Sequence, residues 1–95
     1  MENSEKLKQL RMEIDGINKR MLELFARRMD ISRDIYLVKK EMGLPTFDPE
    51  RENRILERVT EDIEDRYRDY AVKLFRSIMD LSKEYQEALK NEKED

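Results

Sequence analysis

The chain has 95 residues, 45% of them charged and 38% hydrophobic, a formal net charge of −3, and neither histidine nor cysteine. This excludes zinc sites of the usual nitrogen/sulfur type, a Cys–His or Ser–His nucleophile pair and a disulfide framework. The acidic balance argues against general nucleic-acid binding, no apolar run of about 18 residues could span a membrane, and the charged N-terminus lacks a signal-peptide core, so a cytoplasmic protein is expected.

The first predicted element is a helix over 4–42. From Leu7 onward apolar residues recur in alternating steps of three and four: Leu7, Leu10, Ile14, Ile17, Met21 and Leu24, then Ile31, Ile35, Val38 and Met42. That is the heptad seam of a long helix packed against other helices. Arg28 falls where the seam calls for a leucine, and a cation there is costly unless an anion meets it. The anion could be a ligand or a protein carboxylate such as Glu52 or Asp15. A helix of this length measures roughly 55–60 Å, whereas a compact globule of this size has a radius of gyration of about 12–13 Å. The rest of the chain cannot cover so long a stripe, and a symmetric dimer is expected.

A loop over 43–48 follows. Gly43 comes directly after the last seam residue, as a C-terminal cap does; Pro45 adds to the break; Asp48-Pro49 reads as the N-cap and first position of the next helix. Helix 2, predicted over 49–63, carries Ile55, Leu56, Val59 and Ile63. The stretch from Glu61 to Asp69 is very polar but has no Gly or Pro, which places the second turn near 63–67. Helix 3, predicted over 67–90, carries Ala71, Leu74, Phe75, Ile78, Leu81, Tyr85 and Leu89 at helical spacing. The tail 91–95 is expected to fray. The reading is all-α: a single domain over 1–95, a three-helix protomer with a very long first helix.

The polar residues converge. Arg28, Ser32, Ile35 and Lys39 lie along one face of helix 1. Arg28 and Lys39 stand about 16 Å apart along the axis, leaving room between their side chains for a small dianion. The turn Asp48-Pro49-Glu50-Arg51-Glu52 comes level with Lys39 when helix 2 folds back, and Ser82 and Gln86, at i and i+4, return to the same height on helix 3. Each has an ordinary account when taken alone. An arginine in a seam commonly sets register, Lys39 can be solvated like Lys40, Asp48 and Glu52 suit a helix N-terminus, and Ser82 and Gln86 are surface-like. Their convergence at one level is the signal. With no His, no Cys and no Gly-rich phosphate loop, the chemistry left is acid–base work by carboxylate or lysine, or catalysis by positioning and electrostatics.

In Leu10-Arg11, Ile14-Asp15, Ile17, Ala26-Arg27-Arg28, Val38-Lys39, Asp48-Pro49-Glu50-Arg51-Glu52, Leu74-Phe75, Ser82 and Gln86, the chain resembles the all-helical chorismate mutase family across nearly its whole length. The resemblance implies an intertwined homodimeric helical bundle that rearranges chorismate to prephenate without metal or cofactor. It implies that Arg28, and Arg11 donated by the partner subunit, grip the two substrate carboxylates. Lys39 and Gln86 would hydrogen-bond the ether oxygen, with Lys39 also reaching a carboxylate, and Glu52 would accept from the ring hydroxyl. Ser82 and Asp48 would add polar contacts, and Arg51 would line the site and hold neighbouring carboxylates. Fusion to, or association with, another aromatic-pathway enzyme is a further implication. Two other readings stay open: an isochorismate-pyruvate lyase-like relative, and a non-catalytic dimerisation or regulatory module in which Arg28 pairs with a buried carboxylate.

Overall fold

The computed structural model of the chain describes residues 2–94. It contains α1 (Asn3–Met42), α2 (Pro49–Glu61), a 3-10 turn (Asp65–Tyr67) and α3 (Arg68–Glu94). The first helix and first loop lie where their punctuation places them. The second turn differs: α2 ends at Glu61 rather than 63, and α3 begins at Arg68 after the 3-10 turn. The tail expected to fray continues α3 through Glu94, and Asp95 lies outside the described residues.

The chain divides into two units, Met1–Ile31 and Ser32–Asp95. The described part of the first unit is helical apart from Glu2, so this unit holds no second element to cover its apolar stripe. Leu7, Leu10, Ile14, Ile17, Met21, Leu24 and Ile31 are each 46–61% exposed. Phe25, Arg28 and Met29 are half-buried. Arg28 therefore does not share the environment of the seam residues on either side of it.

The second unit comprises the end of α1, the loop, α2 and α3. On α1 the buried residues are Ser32 and Tyr36, while the seam residues Ile35, Val38 and Met42 stay 46–66% exposed. The chain thus packs a different face of this part of α1 from the one the heptad pattern marks. α3 buries Ala71, Met79, Ser82 and Gln86 and half-buries Phe75, Ile78, Tyr85 and Leu89, one face at helical spacing. It packs against α2, whose Ile55, Leu56, Val59 and downstream Ile63 are half-buried. Leu74 and Leu81, expected in this stripe, are 46% and 45% exposed, and Met79, not expected there, is inside.

The loop is set by its end caps. Gly43 has φ +71°, the left-handed conformation that only glycine adopts without strain. It lets Leu44 N–H donate to the Lys39 carbonyl at 2.8 Å and Gly43 N–H to the Lys40 carbonyl at 3.2 Å, the pair of bonds of a Schellman cap. At the start of α2, Asp48 Oδ1 accepts from Arg51 N–H at 3.1 Å, with Pro49 at the first helical position. Asp48→Ala is expected to lower stability by about 1 kcal/mol. The effect should appear as a lower urea midpoint with an unchanged slope, whereas Asp48→Asn, which keeps an acceptor, should recover most of it.

Candidate active site

Among the described residues of the second unit three polar ones are buried: Ser32, Ser82 and Gln86, at 6%, 8% and 7% exposure. A buried polar side chain is costly unless it is hydrogen-bonded, and those of Gln86 and Ser82 have partners. Gln86 Nε2 donates to the Ser32 carbonyl oxygen at 2.8 Å, and Ser82 Oγ donates to the Ile78 carbonyl at 3.1 Å. The Gln86 bond joins α3 to α1 and fixes the amide orientation. Nε2 carries two protons; one is committed to Ser32, and the other remains for a second acceptor.

Lys39 is half-buried, and its Nζ donates to the Thr46 carbonyl at 3.1 Å. Its own carbonyl accepts from Leu44 in the cap, so Lys39 is tied to the loop by backbone and side chain alike. Two clefts open beside it. One, of about 500 Å³, is walled by Tyr36, Lys39, Thr46 and Glu87. The other, of about 320 Å³, brings Lys39 together with Asp48.

Glu52, on the first turn of α2, is engaged from α3. Lys83 Nζ lies 3.0 Å from Glu52 Oε2 and 3.4 Å from Oε1. Hydrogen bonding to Glu52 holds the Lys83 ammonium pKa above its usual value, against burial, which works the other way; Coulombic attraction and Asp80 add to the rise. Glu52 therefore has a cation on α3. Asp15, the other carboxylate considered for Arg28, is exposed.

The remaining expected site residues are placed as follows. Arg51 is exposed and lines a cleft of about 540 Å³ with Arg54 and Arg58. Arg11, exposed, and Arg28, half-buried, both belong to the first unit. The second unit thus assembles Lys39 with Asp48, and Ser82 and Gln86 on one face of α3. Among the described residues no group of three or more acidic side chains is gathered as a metal site, and no helix is long and apolar enough to cross a membrane.

Two participants escape a reading of the sequence. Lys83 follows Ser82 directly, and only the packing of α3 on α2 turns it toward Glu52; the one sequence signal was its position between two residues of the inner face. The Ser32 anchor is a main-chain oxygen, which no residue type announces.

The family described as chorismate mutase type II matches residues 10–87 of the chain. A chorismate mutase of Methanocaldococcus jannaschii is 32% identical over 93 residues, covering 92% of this chain and 94% of that protein. A bifunctional chorismate mutase/prephenate dehydratase of Aquifex aeolicus is 40% identical over 55 residues, which are 58% of this chain and 15% of that protein. The solved chorismate mutase (form II) of Thermus thermophilus aligns with a TM-score of 0.83 and 30% identity, covering 86% of this chain and 94% of that one.

Proposed function

The chain belongs to the type II chorismate mutase family and is a chorismate mutase, an isomerase, and from that premise we propose how its residues perform the rearrangement of chorismate to prephenate. The observation that carries the reading is the buried Gln86, whose amide nitrogen is held on the Ser32 carbonyl with one proton left to give.

The reaction is intramolecular. A C–O ether bond breaks as a C–C bond forms within one molecule, and no proton or group leaves. The enzyme has two tasks: to hold a flexible dianion in its reactive conformer, and to stabilise negative charge growing on the ether oxygen. Gln86 Nε2 and Lys39 Nζ donate to that oxygen, and Lys39 exchanges its Thr46 contact for substrate. Glu52 accepts a hydrogen bond from the ring hydroxyl. Arg28, four residues before Ser32 in the same helix, grips one carboxylate. Ser82 and Asp48 supply polar contacts, and Arg51 closes the rim.

Arg11 grips the other carboxylate from a second subunit. Support for a dimer comes from the first unit, a helix with seven large apolar side chains at 46–61% exposure. Completing the burial of each, already about half covered, contributes on the order of 1 kcal/mol, so together they rival the whole stability of a typical domain, about 5–15 kcal/mol. A second copy of α1 supplies the matching seam. The bifunctional relative, in which the matching segment is a minor part, supports association with or fusion to a second activity of the same route.

The test joins assembly to activity. The purified chain should sediment at twice its 11.6 kDa mass and convert chorismate, not isochorismate, with a chelator present. Lys39→Met should keep the dimer and its helix content while losing activity by about 100-fold or more. A monomeric active species, or a Lys39→Met variant with wild-type turnover, would refute this arrangement.

A further inference from the structure

Lys83 takes no part in the family resemblance, yet it joins three segments. Its Nζ contacts Glu52 on α2 at 3.0 Å and Asp80 on its own helix at 3.4 Å. It also sits 4.5 Å from the centre of the Phe47 ring in the loop. Asp80 is the weaker partner: its side chain is 69% exposed, against 24% for Glu52, and solvent screens exposed pairs. The Phe47 contact is a cation–π arrangement that fixes the ammonium from a third side.

We propose that Lys83 is a positioning residue for the rearrangement: it orients the Glu52 carboxylate and cancels its charge, so that Glu52 can face the ring hydroxyl of a dianionic substrate without repelling the substrate's carboxylates. The proposal rests on the hydroxyl-acceptor role given to Glu52 above. Chorismate brings two negative charges into a site that already contains a carboxylate. Left uncompensated in a partly desolvated cleft, that carboxylate opposes binding by roughly tenfold or more. Lys83 removes the opposition and leaves an acceptor aimed by an ion pair through both of its oxygens.

The other charged groups around this pair are few. Arg76 and Asp80, from α3, share with Glu52 a cleft of about 200 Å³. Asp48, before α2, is engaged by the Arg51 amide, and Lys39, from α1, is held at Thr46. With Lys83 gone, Glu52 and Asp80 are the carboxylates left facing the vacated position.

The experiment is a double-mutant cycle with pH as the second variable. Lys83→Met should raise KM for chorismate roughly tenfold at neutral pH with a smaller change in kcat, and the defect should shrink as pH falls. Lys83→Arg should keep KM near wild type. In the Lys83→Met/Glu52→Gln double variant, KM should fall back to that of Glu52→Gln alone, because no charge remains to be cancelled. Asp80→Asn in the Lys83→Met background should leave the acid recovery in place. Lys83→Gln serves in the same cycle if Lys83→Met does not fold, as judged by circular dichroism and urea midpoint. A pH-independent Lys83→Met defect, or losses that multiply independently with an impaired Glu52→Gln, would show Lys83 to be structural or a direct substrate ligand and would overturn the proposal. A Glu52→Gln variant with wild-type kinetics would overturn the Glu52 role itself, and the positioning role with it.

Discussion

Arg11→Ala and Arg28→Ala chains, each nearly inactive alone, are expected to regain about a quarter of the wild-type rate when unfolded together and refolded in equal amounts. Each loss alone should be on the order of 10²–10³-fold, the consequence of removing one member of a desolvated charge pair with a substrate carboxylate. Seventeen residues of helix separate Arg11 from Arg28, roughly 25 Å along the axis, too far for both side chains to reach one small dianion in the same chain. If Arg11 crosses to the partner, a mixed dimer pairs the intact Arg28 of one chain with the intact Arg11 of the other at one site, and both lesions fall together at the second site. Random pairing makes half of the dimers mixed, each with one working site, which gives the quarter. Activity that stays at the level of the separate variants would mean that each site is built from a single chain. The exposed seam should hold the dimer together in both variants, so sedimentation should be unchanged, and Arg28→Leu should likewise lose turnover without losing assembly.

Gln86→Glu is expected to lose about 100-fold or more at neutral pH and to regain activity as pH falls. A carboxylate at this position has no proton to give, either to the ether oxygen or to the Ser32 carbonyl 2.8 Å from the present amide nitrogen. The site is 7% exposed, and burial beside a carbonyl disfavours the charged form, which raises the pKa of a glutamic acid. Below that raised pKa the acid form restores a donor, so the rate should climb on the acid side while the wild-type amide, which does not titrate, shows no such dependence. Stability should follow the same sign. The folded state binds the proton more tightly than the unfolded state, so the variant should be least stable above the raised pKa and should recover as pH falls through it. A pH-independent loss would show that the residue at 86 does not donate to the reacting oxygen.

How much of this was readable depends on which forces set each element. The first loop was legible because its residues carry local backbone requirements: Gly43 for a left-handed cap, Asp48 and Pro49 for a helix start. The second turn was blurred because no such residue marks it. α2 stops at Glu61 with Asp62 N–H still bonded to the Arg58 carbonyl at 3.1 Å. The 3-10 turn is then closed by the Tyr67 N–H on the Glu64 carbonyl at 2.9 Å, with exposed charge pairs beside it, Arg66 with Glu64 and Arg68 with Asp65. Charged residues at such spacing occur all along this chain, so they announce nothing. The heptad pattern marked the exposed face of α1, and the face the chain itself packs, Ser32 and Tyr36, lies beside it. In the site, residue identities came through the family resemblance, since physical reading left each with an ordinary alternative. The Lys83–Glu52 pair joins residues 31 positions apart, and it depends on the rotation of α3 against α2, which no local spacing encodes.

The Gln86 anchor has an unusual relation to mutation. Its acceptor is a peptide oxygen, so Ala, Cys, Gly or Thr at position 32 would all present the same atom, and a survey of substitutions there would pass over the contact that aims the amide. The vulnerable position is one turn along. A proline at Tyr36 would press its ring against the carbonyl four residues earlier, which is the Ser32 carbonyl. The orientation of the amide is thus insulated from changes in its nominal partner and exposed to a change one turn along the helix.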